Sequence, residues 1–218
     1  MAFRILLLLE GNEEDAFFYV VKRLGVHESF ELMAKCVRGA GSLPRRFQNV
    51  IAGRAERYDA VYCVYDTDYR TNEPNSAFRV TRQKLRWILH DERDIDAISL
   101  VSSPNILQVM LLGFDDIEKV RLSSKSKKKA TPILNEYIPS IGLKKPYDAS
   151  AEQLEAIKKA FMADPLKYEN LVRRACTLPR HDEKKRCPGT DLGPFLKALK
   201  EGDRRFFFRN QKVLMNKI

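Results

Sequence analysis

The sequence predicts an α/β protein, a mostly parallel sheet flanked by helices, that continues into a basic, mainly helical C-terminal half. Three observations carry that prediction. "FRILLLLE", Phe3 to Glu10, is apolar too continuously for a half-wet strand and fits a central strand buried on both faces. Strand-like runs then alternate with amphipathic stretches of about 10–15 residues, the pattern of βαβ units, and this regularity stops near residue 115. Beyond it the charge balance changes. Residues 1–109 hold 15 Lys/Arg and 15 Asp/Glu, whereas residues 110–218 hold 24 and 14, so the whole formal charge of +10 belongs to the second half.

Taken in order, Glu13 to Leu24 carries Phe17, Phe18, Val20, Val21 and Leu24 at helical spacing with acids in its first turn. "FELMAKCV" reads as a second strand, and Pro44 opens a helix through about Arg54 after the turn "GAGS". "YDAVYCVYD", Tyr58 to Asp66, is a strong strand rich in Val and Tyr. The loop "RTNEPNS" leads to an amphipathic helix through Trp87 and Leu89; "DAISLV" gives another strand, and Pro104 starts a helix to about Phe114. Further on, "RLSSKSKKKATP" is a polar loop with five positive charges in Arg121–Lys129, followed by helices over roughly 131–138, 150–161, 165–176 and 191–200. The last stretch, "RRFFFRNQKVLMNKI", follows no clear period. The expected division is an α/β domain over 1–115 with a basic extension over 116–218 packed on it.

A chain of 218 residues buries enough surface to need no disulfide or metal for its core. Cys36, Cys63, Cys176 and Cys187 form no CxxC pair and read as free, mostly core thiols in a reducing compartment. The apolar start is short and ends on Glu10 without a cleavage site, and no run approaches a membrane span, so a cytoplasmic protein without membrane contact is expected.

Ligands of open α/β sheets bind at the carboxyl ends of the strands. Glu10 ends one strong strand, and Asp66 and Asp68 end another. Positions i and i+2 of extended chain point the same way, so Asp66 and Asp68 can converge. Three carboxylates at one edge repel one another unless a cation neutralises them, and hard oxygen donors suit Mg²⁺ or Mn²⁺. The bland alternative is a set of turn and cap residues, with "DTD" an Asx-type turn. The shared-site reading requires a predominantly parallel sheet with Glu10 and Asp66 at the same edge.

On these residues the chain resembles the Toprim domain. "LLLLEGNEED" is similar to its opening Glu-Gly signature, and "VYCVYDTD" to its Asp-x-Asp strand end. The resemblance implies a Toprim-like sheet in which Glu10 acts as general acid/base and shares in metal binding. It also implies that Gly11 permits the turn beneath, that Glu14 is the acid just inside the next helix, and that Asp66 and Asp68 are the metal pair. A closer resemblance is to the RloB-like group of Toprim-related proteins, associated with restriction and phage defence. Its Ser-Asn-Pro and apolar helix resemble "SSPNILQVMLLGF", with Ser103 and Pro104, and its late Asn-Pro-x-Thr segment resembles "CPGTDLGPFLKAL", with Pro188 and Thr190. Leu107 and Gly113 stand where that group carries a glutamate and a histidine, and the run "NEED" replaces its Thr-Glu.

The basic runs suit backbone phosphates: Lys125, Lys127, Lys128 and Lys129 in one, Arg173, Arg174, Lys184, Lys185 and Arg186 in another. A solvated face explains them equally well. Phe206–Phe208, between arginines, either stack on bases or pack the C-terminal segment onto the core. Arg82, Lys84 and Arg86 read as a solvated helix face beside the acidic cleft. His27 and His90 read as surface or cap residues, and His181 could touch a phosphate. Cys176, Cys187, His181 and Asp182 lack zinc-ligand spacing. No phosphate-binding glycine motif is present, so an ATPase partner would be a separate polypeptide. The leading expectation is a divalent-metal-dependent nuclease of DNA or RNA, an effector in antiphage defence. Its rivals are a non-catalytic nucleic-acid-binding or defence-complex subunit and an RNA-maturation ribonuclease of Toprim type.

Overall fold

Alternation of side-chain direction along the first strand, which is buried on both faces, organises the whole chain. The computed structural model describes residues 2–53, 58–68, 73–90, 95–122, 129–181 and 188–208. Strand β1 (Phe3–Leu9) lies between β2 (Phe30–Cys36) and β3 (Ala60–Asp66). Beyond them come β4 (Ser99–Ser103) and the two-residue β5 (Gly189–Thr190), giving the order β2-β1-β3-β4-β5. The first four strands are parallel, as the sequence predicts, and β5 runs antiparallel to β4.

Ile5, Leu7 and Leu9 point to one face, where they meet Phe17 and Val21 of α1 (Asn12–Leu24), the short apolar α5 (Ile106–Leu111) and the C-terminal helices. Leu6 and Leu8 point to the other, packing with Phe47 of α2 (Leu43–Ala52) and Leu85 of α3 (Ala77–Leu89). Period-2 geometry thus explains why four successive leucines are needed: each neighbour serves a different layer. The short α4 (Ile95–Ile98) precedes β4, and α6 (Ile117–Val120) follows α5. Then come α7 (Ala130–Tyr137), α8 (Ala151–Ala163), α9 (Leu166–Ala175) and α10 (Leu192–Glu201). The result is a mixed α/β fold with a largely parallel sheet, helices on both faces and a helical C-terminal region.

Local chemistry sets several boundaries. Ser76 Oγ accepts from Arg79 N and starts α3, and Ser150 and Gln153 form a capping box at α8. Three elements depart from the sequence reading. "DAISLV" is a strand only from Ser99; its first residues form α4, where Asp96 pairs with Arg82 at 2.7 Å while Ile95 and Ile98 stay buried. The helix expected from Pro104 begins at Ile106, because Asn105 Oδ1 accepts from Gln108 N as the cap. β5 is too short to show a period, and its partner strand, not its own pattern, makes it a strand.

Packing accounts for the two positions that depart from the RloB-like pattern. Leu107 is fully buried, and a Cβ at Gly113 would lie 2.6 Å from the Phe161 ring. Cys63 is a core thiol, but Cys36 is half-buried and Cys176 exposed, so "mostly core" does not hold for these three. Cys187 lies outside the described residues. Among the described residues no helix is long and apolar enough to cross a membrane.

Of the three C-terminal phenylalanines, Phe207 is fully buried, with its ring centroid 5.0 Å from Phe30 and 5.6 Å from Phe195. Packing, not base stacking, is its role. Phe208 is 48% exposed. Phe207→Ala should therefore cost about 3–5 kcal/mol of unfolding free energy in urea titrations, and Phe208→Ala less than about 1 kcal/mol. Equal losses would mean that residues 204–208 do not hold the described position.

Candidate functional site

The parallel pairing of β1 and β3 brings their ends together, with Leu9 opposite Val64. Glu10 extends the ladder by one bond, its N donating to Val64 O at 3.1 Å. Its side chain then crosses to the neighbouring strand: Glu10 Oε2 accepts from Asp66 N at 3.1 Å. Its carbonyl accepts from Gly39 N at 2.7 Å, tying in the turn after β2. Glu10 and Asp66 therefore share one sheet edge, as the shared-site reading requires.

Asp66 is held from the other side by α5. Its Oδ2 accepts from Ile106 N at 3.2 Å, while Oδ1 is sealed from solvent and has no hydrogen-bond partner among the described residues. Asp68 is exposed, in left-handed backbone with φ of 49°, and its N donates to Pro104 O at 2.7 Å. Asp tolerates left-handed backbone better than most residues. That conformation ends the i, i+2 extension on which the convergence of Asp66 and Asp68 depends. Asp68 nevertheless contributes to the field on Asp66.

The first turn of α1 completes the acidic group. Glu13 and Glu14 are both buried, 6% and 3% exposed. Tyr147 OH donates to Glu13 Oε1 at 2.8 Å, a contact across 134 residues that no sequence signal announces. Burial, and then the Glu13 charge, push the Tyr147 hydroxyl pKa upward, so it stays a donor. Gly11 has φ of −150°, ordinary extended backbone, so its value is space rather than conformation. A Cβ there would come within 3.1 Å of Glu14 Oε2.

Electrostatically the cluster is frustrated. Burial first, then the charges of Glu14, Glu10, Glu13 and Asp68, hold the Asp66 pKa well above the ordinary carboxylate range. Among the described residues, no group of three or more His, Cys, Asp or Glu is spaced to enclose a metal ion. The donor chemistry nonetheless suits a hard divalent cation: all the groups are carboxylates, and Asp66 Oδ1 is a buried acceptor with no partner among the described residues.

The remaining sequence candidates divide. Ser103 Oγ accepts from Thr67 Oγ1 at 3.0 Å, bracing the segment that carries Asp66 and Asp68. Pro188 is buried beside β5, and Thr190 Oγ1 lies 3.3 Å from Ser102 Oγ and accepts from Leu192 N at 3.1 Å, which pins β5 and starts α10. Arg174 donates to Leu112 O and pairs with Asp116 at 2.8 Å, bracing α9 against the end of α5; Arg173 is exposed and donates to Asn170 Oδ1. Lys129 sits at the start of α7. Lys125, Lys127, Lys128, Lys184, Lys185 and Arg186 lie outside the described residues.

His181 is buried against the Phe78 ring, with Nδ1 2.6 Å from Asp191 Oδ2. Asp191 also accepts from Arg180 Nε at 2.9 Å and from Val101 N. Burial alone would raise the Asp191 carboxyl, but the bonds and charges of His181 and Arg180 bring it below its usual range. This cluster anchors the segment before β5, and the sequence hides it because its members carry no common spacing. His27 accepts from Ser29 N, and His90 ends α3 in left-handed backbone, consistent with surface and cap residues.

Comparison with family models, curated proteins and solved structures finds no match to this chain.

The strained Asp66 has a consequence for stability. A carboxyl whose folded pKa is raised favours the folded state fully below its unfolded value, about 3.9. That advantage is lost as pH rises through the folded value. Asp66→Asn removes the ionisation. In metal-free buffer it should melt above wild type at neutral pH, with the gap closing as pH falls towards about 4. A gap independent of pH in thermal melts would show that Asp66 is not the strained group.

Proposed function

We propose that the chain is a divalent-metal-dependent nuclease, a Toprim-type enzyme hydrolysing phosphodiesters of DNA or RNA. The observation that carries this reading is Asp66: a half-buried residue whose Oδ1 is sealed from solvent and unpartnered among the described residues, beside Glu10 and surrounded by three further acids. At neutral pH such a group opposes folding when ionised, which supports a binding role for it. Glu10 and Asp66 would hold Mg²⁺ or Mn²⁺, with Asp68, turned away by its left-handed backbone, joining them through a bound water or by its charge. The bound ion supplies Lewis-acid polarisation of a phosphoryl oxygen and a more acidic attacking water.

The chain's own residues supply the rest. The Asp66 amide fixes Glu10 Oε2, orienting the carboxylate that accepts the proton of the attacking water. The Ile106 amide holds Asp66 Oδ2 and leaves Oδ1 as the acceptor for a cation. Gly11 leaves room for Glu14, whose charge keeps the site selective for a cation. Basic residues of the second half hold flanking phosphates, and the resemblance to RloB-like proteins supports a role in antiphage defence alongside a separate ATPase. A second reading, a nucleic-acid-binding subunit without cleavage, is favoured by Leu107 and Gly113 at the positions where polar residues are missing.

Panels of DNA and RNA with Mg²⁺ or Mn²⁺, and then with EDTA, test the proposal. Glu10→Gln, Asp66→Asn and Asp68→Asn should each lower the hydrolysis rate at least about a hundredfold while leaving the protein folded. Calorimetry should show Mn²⁺ binding in wild type and its loss in Asp66→Asn. Wild-type rates and binding in Glu10→Gln would reject the catalytic reading; binding of nucleic acid without any cleavage would favour the second one.

A further inference from the structure

The sheet has unlike edges. β5, at one end of the strand order, is only two residues long, whereas β2, at the other, runs for seven and pairs one-to-one with β1. Two bonds set the phase of that ladder: Phe3 N donates to Ser29 O at 2.8 Å, and Val37 N donates to Leu9 O at 2.9 Å. Residues of a strand turn their backbone groups alternately to its two sides. Glu31, Met33 and Lys35 therefore bond β1, and the N–H and C=O groups of Leu32, Ala34 and Cys36 point outward. No bond to those outward groups exists among the described residues. Edge strands are ordinarily blunted by shortness, a bulge, a proline or charge. β2 has charge alone.

That charge is of both signs, and its placement selects what fits the edge. Two copies of an edge strand pair antiparallel about a two-fold axis normal to the sheet, with outward groups facing outward groups. Registers centred on Leu32, Met33 or Ala34 all meet that condition. Only the one centred on Met33 sets Glu31 opposite Lys35 of the second copy, and symmetry repeats the pair. The same register places Leu32 opposite Ala34 and Phe30 opposite Cys36. Just beyond the ladder it brings the exposed Arg38 of one copy near the exposed Glu28 of the other, again with opposite signs. Glu31 already meets Arg4 at 3.4 Å and Lys35 Nζ meets the Tyr58 hydroxyl at 3.4 Å, contacts that leave both residues exposed. A second copy extends these contacts and replaces none. An edge guarded by lysines alone would repel its own image. One carrying Glu31 and Lys35 at equal distances from Met33 attracts it.

We propose that the β2 edge is a homodimer interface, in which two copies pair β2 antiparallel in the register centred on Met33 and join their sheets into one. Seven residues a side make a small contact, so the dimer is weak and concentration-dependent. The two-fold turns the strands of the copies in opposite directions. Their Glu10–Asp66 ends therefore face away from each other, and each copy keeps its own acidic site. Nothing in the pairing depends on the nuclease reading.

Sedimentation equilibrium of the full chain from about 1 to about 300 μM, a range that brackets weak association, should show monomer and dimer in exchange. Ala34→Pro removes an outward N–H that β1 does not use. It should abolish the dimer while the circular dichroism spectrum stays that of wild type. Lys35→Glu and Glu31→Lys each set like charges opposite one another, and each should weaken dimerisation about tenfold. An equimolar mixture of those two variants should dimerise like wild type, because every pair between the unlike chains is again opposite in sign. A folding defect within either chain could not be rescued in this way. In a Cys36→Ser background, Met33→Cys lies on the two-fold and should cross-link under mild oxidation, whereas Lys35→Cys should not. A monomer at every concentration would overturn the proposal. So would a dimer indifferent to Ala34→Pro, a mixture that associates no better than its components, or cross-linking of Lys35→Cys in preference to Met33→Cys.

Discussion

Everything in this fold depends on β1 being dry on both faces. Each buried leucine of Leu6–Leu9 contributes about 1.5–3 kcal/mol relative to exposure. The alternate residues serve separate helical layers, so the strand cannot shift by one position without exchanging both sets. That register constraint fixes where the apolar run stops. Glu10 is the first side chain past the sealed region, and it is held within hydrogen-bond distance of the adjacent strand. A carboxylate at this point is positioned by hydrophobic packing far stronger than its own interactions.

The two faces then diverge electrostatically. On the α1 side, acids are gathered, and every charge that shifts Asp66 upward is another carboxylate. On the α3 side, arginines are gathered around the Asp96 pair and the Tyr65 hydroxyl. The sheet keeps these two groups apart, since β3 sends Asp66 to its end and Tyr65 to the α3 side. Adjacent residues of one strand thus meet a cluster of acids at the strand end and an Arg82–Asp96 pair on the α3 side, which follows from the two-residue period of a strand.

Much of this was legible in the sequence. The four leucines, the Val/Tyr-rich run at 58–66 and the amphipathic helices carry strong periods, and the structure places them as parallel strands and flanking layers. Glu10 and Asp66 could be paired because strand ends are predictable where apolar runs are long. The rest was hidden for physical reasons. Tyr147 meets Glu13 across most of the chain, and Asp191 gathers His181 and Arg180 from ten and eleven residues earlier with no periodic spacing. Arg82 looks like a surface residue until Asp96 and Tyr65 enclose it. Asp68 follows the apparent i, i+2 rule in sequence but not in backbone, because its positive φ turns the chain.

The antiparallel β5 has a temporal consequence. Thr190 pairs with Ser102 across 88 residues, and Asp191 N donates to Val101 O. During synthesis, β4 emerges long before the segment that covers its outer edge. Until β5 and α10 arrive, that strand presents open backbone amides to any neighbouring chain, a hazard for nascent polypeptides. The polar residues Ser99, Ser102 and Ser103 in β4 weaken the edge as a template, and residues late in the chain finish the sheet that early ones begin.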